Sequence, residues 1–149
     1  MALIPGDVEK QLVEEFSNLE RPVRLVTFSQ TLALPGEEEL AAASEQTRRL
    51  VEELAALSPK LSVESLSFAG DRERAAELRV ERIPAIAVLA EDSDPGIRFY
   101  GQPAGYEFGA LIDAIADVGS GSHGLSEETA AQLHELEKPV HIQVFSTPT

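Results

Sequence analysis

The groups in this 149-residue chain that could do chemistry are three histidines, two aspartates in one turn, three consecutive glutamates and a glycine run; cysteine is not among them. Without a thiol the chain can form no disulfide, no thiolate metal site and no cysteine nucleophile. His123, His134 and His141 show no metal-ligand spacing, since the first falls in a glycine-serine stretch and the others in a helical and an extended pattern. Asp92 and Asp94 precede Pro95-Gly96, which is turn chemistry rather than a catalytic carboxylate pair. Glu37, Glu38 and Glu39 open a predicted helix, where the helix dipole favours acids without any partner. Gly119-x-Gly121-x-x-Gly124 spells a dinucleotide fingerprint, but it follows a helical pattern rather than a strand and reads as a linker. No Gly-x-Ser-x-Gly elbow supports a hydrolase; Gly119-Ser-Gly-Ser-His123 is only a near miss. Neither a metal nor any other cofactor is expected.

Charge narrows the partners. Twelve basic against 26 acidic residues give a formal net charge of −14, which opposes nucleic acid and anionic membranes. It also argues against Tyr100, Tyr106 and Phe108 as a base-stacking platform, so core packing explains them better. A hydrophobic fraction of 43% with 26% charged residues fits a folded domain of this length, with or without an extension. The apolar start has no basic region ahead of it and is interrupted at Pro5, so no signal peptide or span is expected and the cytoplasm is the default location.

The elements that must position any site follow from periodicity. Asp7 is placed to cap a helix whose Val8, Leu12, Val13 and Phe16 form one stripe. Val23–Ser29 reads as a buried strand, Leu32–Gly36 as a break, and residues 37–57 as a long helix with Leu40, Ala43, Leu50, Val51, Leu54 and Leu57 near one face. Leu61–Phe68 starts as an alternating strand whose phase shifts at Ser65-Leu66, marking a bulge or its end. A short helix over 71–78, an apolar strand over 85–90, a turn, a returning strand over 97–101 and a helix over 106–118 complete the first unit. Two βα units followed by a hairpin and a closing helix make an α/β fold with a four-stranded mixed sheet and helices on both faces, the thioredoxin-like arrangement.

After a linker at 119–125, Ser126 is placed to cap a new helix. The segment Leu136-Glu-Lys-Pro-Val-His-Ile-Gln-Val-Phe-Ser146 then aligns without gaps on Leu19-Glu-Arg-Pro-Val-Arg-Leu-Val-Thr-Phe-Ser29, an offset of 117 residues (136 against 19) with six of eleven positions identical. Helix, connector and strand recur in the same order, as in duplicated supersecondary structure. Residues 126–149 are therefore expected to hold the first helix and strand of a second thioredoxin-like unit. Such a fragment cannot bury its own apolar faces, so it must pack on the first unit, continue into a longer chain, or offer its strand edge to a second copy in a homodimer. The longer chain is the favoured expectation.

These features resemble the two-unit, glutaredoxin-like protein disulfide oxidoreductases and the related N-terminal domain of the flavoprotein component of alkyl hydroperoxide reductase. The most specific piece is Arg98-Phe-Tyr-Gly-Gln-Pro-Ala-Gly-Tyr-Glu-Phe108, similar to the family's junction between last strand and last helix, with Tyr106 where a His is commoner. Val144-Phe-Ser-Thr-Pro-Thr149 is similar to the segment before the active Cys-x-x-Cys of the second unit. By the repeat offset, the first unit's equivalent slot is Ala33-Leu34-Pro35-Gly36, which is redox-silent for want of sulfur. The resemblance implies a cis bond at Ile83-Pro84 beside that slot, and docking of an extended peptide against Ile83 and Pro84. The alternative is that Pro84 only shapes the strand entry.

Two functions are therefore carried forward. One is the redox-silent N-terminal part of a tandem thioredoxin-fold thiol:disulfide oxidoreductase, which supports or docks a protein partner for a dithiol unit beyond Thr149. The other is a standalone non-catalytic module for protein binding or dimerisation. A Cys-free chain is expected to be inactive alone in either case.

Overall fold

Branched and aromatic residues that favour a pleated surface build the centre of the molecule. In the computed structural model, which describes residues 3–30 and 32–146, β1 (Val23–Ser29) and β3 (Ala85–Ala90) lie between the edge strands β2 (Leu61–Ser67) and β4 (Ile97–Tyr100), in the order β2-β1-β3-β4. β1 and β2 are parallel, while β1–β3 and β3–β4 are antiparallel. The helices are α1 (Gly6–Ser17), α2 (Glu38–Ala56), α3 (Arg72–Glu77), α4 (Tyr106–Ser120) and α5 (Glu127–His134).

The alternation of β1 and β3 divides the interior in two. Val23, Leu25, Ile86 and Val88 point into one core with Leu12 and Phe16 of α1, Leu50, Val51 and Leu54 of α2, and Leu111 and Ile115 of α4. Val26, Phe28, Ala85, Ala87 and Leu89 face a smaller core closed by Ala75, Leu78 and Val80 around α3. The sheet is thus covered on both faces, as the element order predicts; β3 is apolar throughout, and β1 is mostly so, with Arg24, Thr27 and Ser29 as its polar residues.

Several local expectations change. Asp7 does not cap α1: extended Pro5 occupies the cap position, and Asp7 lies in the first turn, where its charge complements the helix dipole. Val13 is exposed because Leu12 and Phe16, one turn apart, already supply the contact with the core. β2 has no bulge. Its register against β1 is continuous from Leu61 to Ser67, and the apparent phase shift arises because Leu61 packs into one core and Leu66 into the other. α4 runs two residues into the expected linker. Gly119 is a helical residue whose missing side chain lets Leu19 approach, since a Cβ there would lie 2.3 Å from Leu19 Cδ2. Gly121, at φ +68°, then ends the helix in the left-handed region.

Ser126 does cap α5, its Oγ accepting from the Thr129 N–H at 3.1 Å. The strand expected at the end of the chain is not formed: residues 137–146 belong to no ladder and are exposed. A strand needs a partner for its N–H and C=O groups, and no edge is paired with this one. Thr147, Pro148 and Thr149, which complete the expected second unit, lie outside the described residues.

Candidate functional site

β1 and β2 end side by side, and the chain entering β3 returns to the same end of the sheet. There, residues from the end of β1, the loop before α2, the end of β2 and the entry to β3 line a cleft of about 250 Å3. Its apolar walls are Leu32, Leu34, Phe68 and Ile83, and its polar groups belong to Ser29, Gln30 and Ser67. Leu32 and Leu34 are 72% and 54% exposed, which for leucines beside a cleft marks an uncovered apolar shelf.

The shelf is held by hydrogen bonds rather than packing. Gln30 Nε2 donates to the Leu32 carbonyl at 2.6 Å and to Glu37 Oε2 at 2.9 Å. The Glu37 N–H donates to the Leu34 carbonyl at 2.9 Å, and the Gly36 N–H donates to Glu38 Oε1 at 3.1 Å. The backbone N–H groups of Glu38 itself and of Gly36 hold the Glu38 carboxyl below the usual range. Two of the three consecutive glutamates therefore close the loop over the start of α2.

Pro84 is buried, and the Ile83–Pro84 peptide is cis. The Pro84 carbonyl accepts the Gly101 N–H at 2.8 Å, which ties the entry of β3 to the exit of β4. Ile83 is half-buried against the smaller core and forms one wall of the cleft. Among the described residues its backbone N–H and C=O meet no hydrogen-bond partner.

Of the four slot positions, the structure brings only Leu34 to the cleft; Ala33, Pro35 and Gly36 are exposed in the turn before α2, with Gly36 at φ +86°. Leu32, Phe68, Ser29, Gln30, Ser67 and Ala69 also line the cleft and were not singled out from the sequence. The Phe68 N–H donates to the Ser29 carbonyl at 3.1 Å, extending the parallel pairing one step beyond β2 and carrying the ring to the cleft. Among the described residues lining the cleft, none is an acid, a base or a thiol.

The other chemistry-bearing groups lie elsewhere. Asp94 accepts from Arg98 through both carboxylate oxygens, at 2.5 and 2.9 Å, and from the Gly96 N–H at 2.9 Å; Arg98 above all holds its carboxyl below the usual range. His123 lies after α4, His134 in the last turn of α5 and His141 in the exposed terminal stretch. A second apolar cleft, about 380 Å3, lies between Leu3–Val8, α2 and the loop after β4.

The architecture and this placement of the cleft can be set against known proteins. No protein-family model matches the sequence. The alkyl hydroperoxide reductase protein AhpF of Staphylococcus aureus is 24% identical over 147 residues, 99% of this chain and 25% of that protein. An NADH dehydrogenase of Ferdinandcohnia aciditolerans is 28% identical over 102 residues, 68% of this chain and 17% of that protein. Among solved structures, the NTD_N/C domain of AhpF from Enterococcus faecalis superposes with a TM-score of 0.74 at 24% identity, covering 91% of this chain and 62% of that one. A protein disulfide oxidoreductase from Aeropyrum pernix superposes with a TM-score of 0.72 at 26% identity, covering 89% and 55%. The fold is thioredoxin-like, and the homologues are the N-terminal domain of AhpF and a protein disulfide oxidoreductase.

The thioredoxin-like chain spans about a quarter of the length of the AhpF relatives it matches. Its similarities support a role among thioredoxin-like redox proteins. Of the second unit expected from the repeat, the described residues contain one helix and no strand. No helix among the described residues is long and apolar enough to cross a membrane.

Proposed function

We propose that this chain is the redox-silent N-terminal part of a tandem thioredoxin-fold thiol:disulfide oxidoreductase of the cytoplasm. In this reading the first unit docks an extended segment of a protein partner at the Ile83 cleft, and a dithiol unit beyond Thr149 carries out the exchange. The observation that carries it is the cleft itself: apolar walls and, among the described residues, a backbone donor and acceptor at Ile83 without a partner and no acid, base or thiol in the lining. An extended segment gains affinity by satisfying such backbone groups and specificity by filling the adjoining pocket. The repeat and the exposed apolar side chains between Leu133 and Phe145 support a continuation that would cover them.

A second reading is favoured by those same side chains. Val140, Ile142 and Val144 alternate along an exposed segment, a pattern that could add a strand to the sheet of a second copy. The chain would then be a standalone non-catalytic module for protein binding or dimerisation. Reading the gene past Thr149 separates the two: Cys-x-x-Cys next supports the tandem enzyme, and a natural stop supports the module. For the 149-residue chain alone, insulin reduction by dithiothreitol should run no faster than the blank. Turnover by pure chain would overturn both readings.

A further inference from the structure

Three arginines are held by carboxylates, and the one that precedes Ile83 is not among them. Arg48 is tied to Glu45 and Glu52, Arg74 to Glu64 and Glu77, and Arg98 to Asp94. Arg82, the residue before Ile83, is exposed and meets no carboxylate or other hydrogen-bond partner among the described residues, although acids outnumber bases 26 to 12 in the sequence. Its guanidinium lies over the Tyr100 ring, 4.5 Å from the centroid. Tyr100 is itself anchored: its hydroxyl donates to the Arg79 carbonyl at 3.3 Å, it stands opposite Ala85 across the β3–β4 ladder, and it packs against the same core as Ile83 and Phe68. A guanidinium over a ring face leaves its N–H groups available to a planar, bidentate acceptor.

We infer that the extended partner segment docked at Ile83 carries a carboxylate next to its apolar anchor, and that Arg82, seated on Tyr100, receives it. This rests on the docking reading of the same cleft. Long-range charge does not favour it, because the −14 molecule repels an acidic partner and Glu81 adjoins the site. At physiological ionic strength, however, screening acts over about 8 Å, so a bidentate contact at hydrogen-bond range can outweigh the distant acids.

The test is an NMR titration of the 15N-labelled 149-residue chain at 0.15 M salt with three blocked peptides. These are Gly-Ser-Leu-Asp-Val-Ser-Gly and the same peptide with Asn or Lys in place of Asp. The Asp peptide should shift the Ile83 amide and the Arg82 Nε–H and bind roughly fivefold to tenfold more tightly than the Asn peptide. Arg82→Gln should make the Asp and Asn peptides equivalent, while Arg82→Lys should keep part of the difference. Equal binding of Asp and Asn peptides to the unaltered chain, or preference for the Lys peptide, overturns the inference and leaves docking standing. If none of the three moves the Ile83 amide, docking fails as well.

Discussion

Thr27 and Thr47 each bury a side-chain hydroxyl that meets no hydrogen-bond partner among the described residues. Thr27 lies on β1, which α2 packs against, and an orphaned buried hydroxyl there loses its water without compensation. Thr27→Val keeps the branched shape and removes the polar atom, so it should stabilise the chain by about 1 kcal/mol, read as a higher urea midpoint at unchanged slope. A lower midpoint would mean that the hydroxyl finds a partner in solution. The sequence could not have revealed this residue, because a strand threonine is ordinary in composition and only the covering helix makes it costly. The cleft divides along the same line. Ile83 and Leu34 were legible from the proline and the repeat, whereas Leu32 and Phe68 reach the cleft only because two strand ends adjoin.

At the scale of elements, the β3–β4 hairpin and α3 are joined through one side chain. Arg98 grips Asp94 in the hairpin turn and donates to the Leu78 carbonyl at 2.8 Å at the end of α3. Arg98 holds the Asp94 carboxyl below its ordinary value, so the folded state binds that proton more weakly than the unfolded state does. The associated stability is present above the unfolded carboxyl range and is lost as pH falls through the lower, folded value. Asp94→Asn should therefore cost about 1 kcal/mol at pH 7, and that cost should fade as the pH falls below the ordinary aspartate range and through the lower, folded value. Denaturant melts of both proteins across that range check the sign; a cost that persists undiminished in acid would assign it to the turn geometry alone. The order of elements was legible because each strand and helix keeps its own hydrophobic period. Their ends were less so, since Gly119 reads locally as a linker yet lies within α4, where its lack of a side chain makes room for Leu19. The Ser65-Leu66 phase shift likewise looks irregular in one dimension, yet it suits a strand packed against both cores.

For the molecule as a whole, the contrast lies between a sheet buried on both faces and a terminal segment that buries nothing. No residue of α5 is buried, and the side chains beyond it become more exposed toward the end, with Phe145 at 89%. The repeat predicts a strand at residues 140–146, and its apolar pattern is legible; its pairing is not, because pairing depends on a neighbour that the described residues do not supply. If that segment contributes nothing to the first unit, a chain ending at Gly124 should keep its cooperative melt, with Tm within about 2 °C of the 149-residue chain. It should also bind less of an apolar dye and self-associate less, since an exposed alternating segment is a template for intermolecular pairing. A fall in Tm of more than about 5 °C on truncation would place the tail against the first unit in solution. That result would remove the exposed apolar segment as support for both a continuing second unit and a strand-edge dimer.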